Sequence, residues 1–411
     1  MKNVLFISYD GMTDSLGQSQ VIPYLVRLTQ FDYKFTILSC DKPKKYHSHK
    51  NYIQNLLKPF PVTWISLPYH KNPAVVSTLY DVYQLRKKAK ELHLKHNFDL
   101  VHTRPGIPSL IGLWLKKKFH VKFLNDIREF YADSRVEGGM WNTKNIFYKA
   151  IYNYFKSHEE EAVAKSDGIV CLTFAAENII RNFSMFQQKI PLSVIPCSVD
   201  MKLFDPGNIN PELKSKFEKE LGIDKTDFII SYLGSIGGWY LTDEKMQFCK
   251  IAVDKMPELK FLFIAPKDQH DEIRDAAKKF KIPQEKILIK HAERWEVPTL
   301  LSFSNYSVFF IKSCYSKKSS SPTKHGEIMA MGIPVITNAG VGDVEEIVKK
   351  YHSGIVLKNL DEKEFEFTAN VIAEGISFDK TAIRNGAKEY FDLDKAVEKY
   401  RNIYDKIILN N

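Results

Sequence analysis

Short apolar runs that alternate with segments of helical periodicity constrain the fold of this chain more than any other feature. Val4–Ser8 is a nearly continuous apolar run, typical of a parallel strand that is buried on both faces. After a polar loop, Val21, Leu25 and Leu28 recur at helical spacing, and the alternation continues to about residue 196. Strands that are separated by helices favour a parallel sheet with right-handed crossovers. The first half of the chain is therefore predicted to be a doubly wound α/β domain.

The same pattern begins again at Asp227–Gly234, an apolar run that leads into a glycine-bearing loop. Pro196, Pro206 and Gly207 lie between the two series and indicate a linker. The 411 residues thus predict two domains. The first ends at about residue 199, and the second begins at about residue 200. Ligands of such sheets bind at the carboxyl ends of the strands, so we expect a site in the cleft between the domains.

The composition excludes several classes of protein. With 44% hydrophobic and 26% charged residues, the chain is not disordered, collagen-like or a coiled coil. Its five cysteines are scattered without a C-x-x-C pair, which argues against a disulfide framework or a zinc site. No apolar stretch reaches the roughly 20 residues of a transmembrane helix, and the first apolar run is too short for a signal peptide. We therefore expect a cytoplasmic location.

The formal net charge of +10 lies entirely in the first half of the chain. Residues 1–200 contain 27 Lys and Arg against 17 Asp and Glu, whereas residues 201–411 contain 32 of each. A basic half beside a neutral half indicates two domains with different partners. The charge alone is equally consistent with a solubilising surface.

The segment from Ser319 to Thr337 predicts an anion site. Ser321 followed by Pro322 predicts an N-cap with proline at the first helical position, and Gly332 is placed where the helix ends. A helix between two parallel strands directs its N-terminal N–H groups towards the carboxyl edge of the sheet. This arrangement binds phosphate groups in many proteins.

Lys324 and Glu327 add to this prediction. A lysine in the first helical turn opposes the helix dipole at a cost of roughly 0.3–1 kcal/mol, which a bound anion would offset. Glu327, one turn further on, is suited to accept hydrogen bonds from a sugar diol. Lys312, at the end of a predicted strand, faces the same edge. For all three the alternative is an ordinary solvated surface residue.

Taken together, these segments resemble the glycosyltransferase family 4 branch of the GT-B enzymes. The resemblance covers nearly the whole chain, and its segments are Ser8–Gly11 with Leu16–Gln20, Asp99–Arg104, Asp126–Arg128, Val194–Asp200, Tyr232–Ser235 and Ser320–Thr337. It implies two Rossmann-like domains that face a cleft, one formed by residues 1–199 with about 390–411 and the other by residues 200–389, with the last helix returning to the first domain. It also implies retaining transfer from a nucleotide-diphosphate sugar, without a metal or another cofactor, to a glycan or lipid-linked acceptor in the first domain. Cell-surface polysaccharide or glycolipid synthesis is the implied setting.

The resemblance also implies the donor-binding residues. Glu327 matches the second glutamate of the family's Glu-x7-Glu motif, which binds the nucleotide ribose, and His291 with Ala292 corresponds to the nucleobase region. The full predicted donor set is Gly17, Gly234, Ser235, His291, Ala292, Lys312, Ser319, Ser321, Pro322, Thr323, Lys324 and Glu327.

Three departures from the family pattern affect the predicted chemistry. Ser319 replaces the first glutamate of the motif, Arg104 replaces a histidine of the acceptor domain, and the usual arginine and lysine after the first strand of the second domain are missing. We expect Lys312 and Lys324 to supply that positive charge instead.

The predicted catalytic residues are Lys324, Arg104, Asp126 and Arg128. Lys324 would stabilise the leaving diphosphate, which itself can take the acceptor proton. Asp126 would orient the acceptor hydroxyl, and the two arginines would bind a phosphate or acid group. The alternative for Asp126 and Arg128 is an ion pair that shapes a loop.

We predict no metal site. Asp392 and Asp394 have the spacing of an Asp-x-Asp metal motif. They lie at the start of the last predicted helix, however, where they are expected to cap it. Asp343 with Glu346 is expected to form a capping box.

Two alternatives to a transferase remain open at this point. One is a GT-B epimerase or hydrolase that acts on a nucleotide sugar without transferring it. The other is a basic membrane- or nucleic-acid-binding module, suggested by Lys42–Lys50, Arg86–Lys88 and Lys116–Lys118. No nucleic-acid recognition motif accompanies these runs, so membrane association is favoured over nucleic acid. The helix Leu79–His96 is the candidate for peripheral contact with an anionic inner membrane face, and its alternative is an ordinary solvated helix.

Overall fold

A computed structural model describes residues 1–73 and 75–409 of the chain. The chain divides into two compact units, Met1–Pro196 with Leu393–Asn411, and Cys197–Asp392. These boundaries lie three residues from those that the sequence analysis placed at 199 and at about 390.

The first unit contains a seven-stranded parallel sheet with the order β3-β2-β1-β4-β5-β6-β7. Its strands are β1 (Lys2–Ser8), β2 (Tyr33–Asp41), β3 (Val62–Pro68), β4 (Leu100–Thr103), β5 (Lys122–Ile127), β6 (Gly168–Cys171) and β7 (Leu192–Val194). The helices that precede the second unit are α1 (Ser15–Gln20), α2 (Ile22–Leu28), α3 (Pro43–Leu57), α4 (Val76–His96), α5 (Ile107–Phe119), α6 (Tyr131–Glu137), α7 (Ile146–Lys165) and α8 (Phe174–Arg181). The strand order reverses direction between β1 and β4, which creates a crevice at their carboxyl ends.

The second unit contains a six-stranded parallel sheet with the order β10-β9-β8-β11-β12-β13. Its strands are β8 (Phe228–Leu233), β9 (Leu259–Ile264), β10 (Ile287–Lys290), β11 (Tyr306–Phe309), β12 (Val335–Asn338) and β13 (Gly354–Leu357). Its helices are α9 (Pro211–Leu221), α10 (Thr242–Lys255), α11 (His270–Lys279), α12 (Val297–Leu301), α13 (Thr323–Ala330), α14 (Val344–Tyr351), α15 (Glu362–Ala373) and α16 (Lys380–Tyr390). Here the order reverses between β8 and β11.

Burial explains why the apolar runs become strands. Val4, Leu5, Phe6 and Ile7 of β1 all have no exposed surface, so side chains on both faces of the strand are covered. Such a strand needs apolar residues at every position instead of at alternate positions. The two-domain, doubly wound α/β fold that the sequence predicted is confirmed.

The last helix, α17 (Leu393–Leu409), packs on the sheet of the first unit, as expected. Its buried face includes Val397, Tyr400, Tyr404 and Ile407. A Cβ atom at Gly168 of β6 would lie 2.5 Å from the Ile407 Cδ1 atom. The helix therefore lies directly on the strand at this position. Among residues 1–73 and 75–409, no helix combines the length and apolar character needed to cross a bilayer.

Candidate functional site

The N-terminus of α13 lies at the carboxyl edge of the second sheet, but its first turn differs from the prediction. The helix begins at Thr323, Pro322 is the N-cap residue, and no side chain within the described part of the chain caps it. The Ser321 hydroxyl instead accepts a hydrogen bond from the backbone N–H of Cys197 at 3.3 Å. The predicted Ser321 N-cap is therefore wrong. Gly332 follows the helix with a φ of 69°, the left-handed conformation predicted for it.

Lys324 is buried among aromatic rings, with 7% of its surface exposed. Its Nζ lies 3.3 Å from the Tyr232 hydroxyl and 4.0 Å from the centroid of the Tyr240 ring. Burial lowers the pKa of Lys324 well below its usual value, and the neighbouring Lys245 lowers it further. Lys324 is thus not the solvated surface lysine of the alternative interpretation.

The glycine loop after β8 allows this close approach. Gly234 has a φ of 106°, which favours glycine, and a Cβ atom there would lie 3.2 Å from the Lys324 Nζ. The loop is fixed to the segment after β11, because the Leu241 N–H donates to the Phe310 carbonyl. Lys324 therefore lies where the strand order reverses, the usual ligand position in such sheets.

A second lysine, Lys245 in the first turns of α10, completes this cluster and was missed by the sequence analysis. It has no exposed surface, and its Nζ lies 3.4 Å from the centroid of the Tyr232 ring. In the described part of the chain this Nζ has no hydrogen-bond partner. Burial lowers the pKa of Lys245 to about 7. The signal that identified Lys324, a cation near the start of a helix at this edge, also applies to Lys245.

The two lysines form an electrostatically incomplete site. Both amines are buried against Tyr232, and neither has an ion pair with a carboxylate within residues 1–73 and 75–409. Buried charges without a counter-ion are costly, and perturbed groups of this kind concentrate at ligand sites. An anion that binds here would restore the charge of both amines.

Glu327 is also buried and has a partner that the sequence analysis did not identify. The Arg294 guanidinium forms an ion pair with the Glu327 Oε1 atom. The Arg294 guanidinium lies 4.8 Å from the centroid of the Phe204 ring. The ion pair orients the Glu327 carboxylate, so the alternative of a solvated surface glutamate does not hold.

The remaining predicted donor residues vary in their position. Ser235 follows Gly234, and its carbonyl accepts a hydrogen bond from the Tyr232 hydroxyl. Ser319, which replaces the motif glutamate, is fully buried and donates to the Ser316 carbonyl at 2.7 Å. Lys312 is exposed, and its Nζ lies 6.0 Å from the Trp239 ring centroid.

The predicted nucleobase region lies after β10, where His291 is exposed and Ala292 is partly buried. Gly17 belongs to the first unit. A Cβ atom there would lie 2.6 Å from the Gly11 carbonyl oxygen, so packing of the loop alone requires glycine at this position.

Asp126 is located inside the first unit and not at its surface. It is fully buried, and its Oδ2 atom accepts hydrogen bonds from the Tyr400 hydroxyl at 3.0 Å and from the His102 Nε2 at 3.2 Å. Arg128 donates to the Tyr400 hydroxyl at 3.0 Å and lies 3.5 Å from Asp126. The predicted role in orienting an acceptor hydroxyl does not fit this position. Asp126 and Arg128 instead anchor α17 to the sheet.

The charge of Asp126 is maintained by its neighbours. Burial alone would raise the pKa of this carboxyl, but Arg128, His102 and Arg104 outweigh it and hold the pKa below its usual value. Burial in turn lowers the pKa of His102 despite its contact with Asp126.

Arg104, the third predicted catalytic residue of the first unit, has different surroundings from Asp126 and Arg128. It follows β4 at the reversal point of the first sheet and is largely buried, with its Nε 3.6 Å from the Asp10 Oδ2. Its Nε and Nη1 atoms have no hydrogen-bond partner in the described residues. Two unsatisfied guanidinium donors at this edge are suited to an anionic group.

Asp343, predicted to begin a capping box, has a different role in the structure. Asp343 precedes α14 without a side-chain cap and accepts a hydrogen bond from the Tyr390 hydroxyl at 2.8 Å. The predicted capping box is therefore wrong. Within residues 1–73 and 75–409, no three His, Cys, Asp or Glu side chains are grouped to hold a metal ion.

One protein family matches part of the second unit. Residues 214–388 match the family described as Glycosyl transferases group 1. No curated protein shows significant sequence similarity to the chain.

Solved structures are similar over nearly the whole chain. A glycosyltransferase from Rickettsia africae ESF-5 aligns with a TM-score of 0.71 and 16% identity, covering 100% of this chain and 99% of that one. Anabaena Alr3699/HepE in complex with UDP-glucose aligns with a TM-score of 0.72 and 12% identity, covering 98% and 100%. WaaG, a glycosyltransferase involved in lipopolysaccharide biosynthesis, aligns with a TM-score of 0.68 and 13% identity, covering 97% and 99%. The chain therefore has the two-domain GT-B fold, and residues 214–388 of its second unit match the family of glycosyl transferases group 1.

Proposed function

We propose that this protein is a retaining glycosyltransferase that moves a hexose from a nucleotide-diphosphate sugar to a glycan or lipid-linked acceptor. The observation that carries the donor assignment is the pair of buried lysines, Lys245 and Lys324, which both contact the Tyr232 ring at the reversal point of the second sheet. A diphosphate supplies the negative charge that this pair lacks. The Anabaena HepE structures contain UDP or UDP-glucose, which supports a nucleotide sugar for this chain as well.

The proposed mechanism depends on stabilisation of the leaving group. Negative charge develops on the diphosphate as the bond to the anomeric carbon breaks. Two ammonium groups in a water-poor environment, together with the N-terminus of α13, stabilise that charge without reorganising. Glu327, oriented by Arg294, would accept hydrogen bonds from the ribose hydroxyls. Retention and independence from metal ions rest on the resemblance to family 4.

Product analysis distinguishes transfer from the alternative of an epimerase or hydrolase. The purified protein is incubated with a panel of UDP- and GDP-sugars, with and without a membrane lipid extract or glycan acceptors, and the products are identified by mass spectrometry. A transferase releases nucleoside diphosphate faster when an acceptor is present, and the acceptor gains one hexose. Acceptor-independent release of free sugar, or of an isomerised nucleotide sugar, would overturn the proposal.

Binding of a nucleoside diphosphate is expected to take up protons above pH 7. In the free protein the pKa of Lys245 is about 7, so this amine is largely uncharged at pH 8, and the pKa of Lys324 is lowered too. A bound diphosphate raises both pKa values because it favours the ammonium form. Affinity should therefore fall as the pH rises from about 7 towards the usual lysine value of about 10.4.

Calorimetric titration with UDP and GDP, in buffers of different ionisation enthalpy, measures this proton uptake. The Lys245→Met variant should take up fewer protons than the wild type at pH 8. Binding without proton uptake at that pH would contradict the assignment of the lysine pair.

We also propose that the first unit lies against an anionic membrane surface. The beginnings of α4 and α7 carry large apolar side chains that are exposed: Val76, Leu79, Tyr83, Ile146 and Phe147. Both helices pack on α5, and each runs back from the carboxyl edge of the sheet towards the start of the next strand, β4 or β6. This unit contains 31 Lys and Arg against 19 Asp and Glu, whereas the second unit contains 28 against 30. Apolar side chains on a basic domain match an anionic bilayer in chemistry.

Replacement of Leu79 and Ile146 by serine should reduce vesicle binding severalfold. Leu79 is 65% and Ile146 is 86% exposed, so the variants should remain folded. Flotation with phosphatidylglycerol-containing vesicles, compared with neutral vesicles, measures the bound fraction. Leu94→Ser is the matched control, since Leu94 is 64% exposed at the opposite end of α4. Equal binding to neutral and anionic vesicles, or equal loss in the Leu94 variant, would contradict the proposal.

A further inference from the structure

Arg104 and Asp10 form a pair of opposite charges at the carboxyl edge of the first sheet. Arg104 directly follows β4, and Asp10 lies two residues after the end of β1. The Arg104 backbone N–H donates to the Ile7 carbonyl at 3.1 Å, so the arginine is fixed beside β1. The strand order reverses between β1 and β4, and ligands of such sheets bind at the reversal point. The pair therefore lies at the expected ligand position of the first unit.

The hydrogen bonding of this pair is incomplete. The Arg104 side chain is 8% exposed, whereas the Asp10 side chain is 50% exposed. The Arg104 Nε lies 3.6 Å from the Asp10 Oδ2, which is too long for a hydrogen bond. In the described part of the chain the buried Nε and Nη1 atoms of Arg104 have no hydrogen-bond partner. Unsatisfied donors of a buried charged group are costly. The free protein thus contains a cation that Asp10 neutralises only in part.

The other arginines at this edge have closer partners. Arg128 belongs to the buried network that anchors α17. Arg135, in α6, pairs with Glu129 at 3.3 Å. Among residues 1–73 and 75–409, the one carboxylate that forms an ion pair with Arg104 is Asp10. Arg104 is therefore the arginine of this edge that is best suited to take an anionic ligand.

The position of the Asp10 carboxylate favours a negative charge. Besides its contact with Arg104, Asp10 acts on a second arginine. Burial alone would lower the pKa of Arg135, but Glu129 and, with a smaller effect, Asp10 contribute to raising it above its usual value. Two arginines thus interact with the charge at this position. Asp10 itself accepts no side-chain hydrogen bond within the described residues that would hold it there.

We propose that Arg104 binds a negatively charged group of the acceptor, a phosphate or a carboxylate, at the place that Asp10 occupies in the free protein. A guanidinium forms paired hydrogen bonds with either group, which the Asp10 carboxylate does not form. Asp10 is the exposed member of the pair, so it turns towards solvent when the ligand enters. The phosphate of a lipid-linked acceptor and the carboxylate of an acidic sugar share this chemistry.

This inference rests on the proposed transferase function and names the class of its acceptor, an anionic molecule. The group that Arg104 binds does not react. The acceptor proton therefore still goes to the leaving diphosphate, as retaining transfer on one face of the sugar requires. Arg104 is accordingly a binding residue that fixes the acceptor at the reversal point of the first sheet.

Thermal unfolding with small anions tests this binding without knowledge of the acceptor. The probes are inorganic pyrophosphate and glucuronate, with glucose as the neutral control, all at constant ionic strength. The full-length Lys245→Met/Lys324→Met protein is the background, because it lacks the lysines that we assign to the donor diphosphate. A ligand that binds the folded state raises the melting temperature as its concentration increases. We expect this rise with at least one anion and not with glucose, and the more effective anion identifies the group as phosphate or carboxylate.

Two substitutions in this background have opposite expected effects. Arg104→Gln should weaken anion binding by at least about 10-fold, because charge-assisted hydrogen bonds are lost. Asp10→Asn should strengthen anion binding severalfold, because a competing carboxylate is removed. Asp10 is half-exposed, so this variant should remain folded. Arg181→Gln is the matched control, since Arg181 pairs with Glu177 at the surface of α8.

Equal anion binding by the Arg104→Gln and Arg181→Gln variants would overturn the inference. Unchanged or weaker binding after Asp10→Asn would also overturn it, as would the absence of stabilisation by both anions. In the transfer reaction, Arg104→Gln should raise KM for the acceptor by about 10–100-fold and leave the affinity for UDP or GDP unchanged. Absence of transfer by the wild type with every donor and acceptor would instead count against the proposed function, because the anion titrations do not depend on transfer.

Discussion

Replacement of Lys324 by methionine is expected to lower the rate of sugar transfer by about 10²–10³-fold, the effect of removing one preorganised donor to a developing charge. The same change should leave the free protein as stable as the wild type or more stable. Lys324 is buried among aromatic rings with a lowered pKa, so its amine is costly to bury and a methionine of similar length is not. Loss of activity together with unchanged or increased stability is the signature of a ligand-binding group. Steady-state kinetics and thermal unfolding measure the two quantities.

Lys250→Met provides the control for this prediction. Lys250 lies on α10 like Lys245, but it is at the surface, where it pairs with Asp254 one turn away. Its removal should change the transfer rate less than about threefold, which corresponds to less than 1 kcal/mol. If a folded Lys324→Met protein transfers sugar at the wild-type rate, Lys324 does not bind the leaving diphosphate.

Replacement of Asp126 by alanine is expected to reduce the free energy of unfolding of the first unit by about 3–5 kcal/mol, the usual cost of breaking a buried ion pair. The change leaves Arg128, His102 and the Tyr400 hydroxyl without their common acceptor in the protein interior. Since Tyr400 belongs to α17, we expect the helix to detach at lower urea concentration than in the wild type. Urea unfolding followed by circular dichroism measures the loss.

Two further variants separate this effect from a general sensitivity of α17. Tyr400→Phe removes one hydrogen bond and should cost about 1–2 kcal/mol. Asp394 lies on the same helix as Tyr400 and forms an ion pair at the surface with Arg27 of α2. Asp394→Asn removes this pair and should cost less than about 1 kcal/mol. A loss for Asp126→Ala as small as that for Asp394→Asn would contradict the anchoring role.

The pKa of Asp126 is lowered in the folded protein. Its stabilising contribution is therefore complete above the usual aspartate value of about 3.9 and is lost as the pH falls below it.

The sequence predicted the fold because the signals it contains are local and repeated. Exposure of an apolar run such as Val4–Ile7 to water costs free energy, and the run has the length of a strand that is covered on both faces. The return of α17 to the first unit was expected from the resemblance and not from the helix itself. The helical spacing of its apolar residues, which include Tyr400 and Tyr404, predicts a buried face. It does not predict which of the two units covers that face.

The candidate site was harder to predict because burial of a polar residue depends on tertiary packing. Asp126 lies near the end of β5 and Arg104 directly follows β4, yet one is an internal anchor and the other keeps two unsatisfied donors. Ser321 has the residue type of an N-cap, but the N–H of Cys197, more than a hundred residues away, lies close enough to use its hydroxyl. Lys245 was missed because its neighbours, Asp243 and Glu244, suggest a solvated helix start.

The affinity of nucleoside diphosphates for the wild type and for the Lys245→Met/Lys324→Met double variant tests the central claim most directly. The wild type should bind one UDP or GDP per chain in a calorimetric titration. The double variant should bind at least about 100-fold more weakly, a loss of about 2.7 kcal/mol, while it remains folded. Equal affinity of the folded double variant and the wild type would show that the nucleotide diphosphate does not bind at the buried lysine pair.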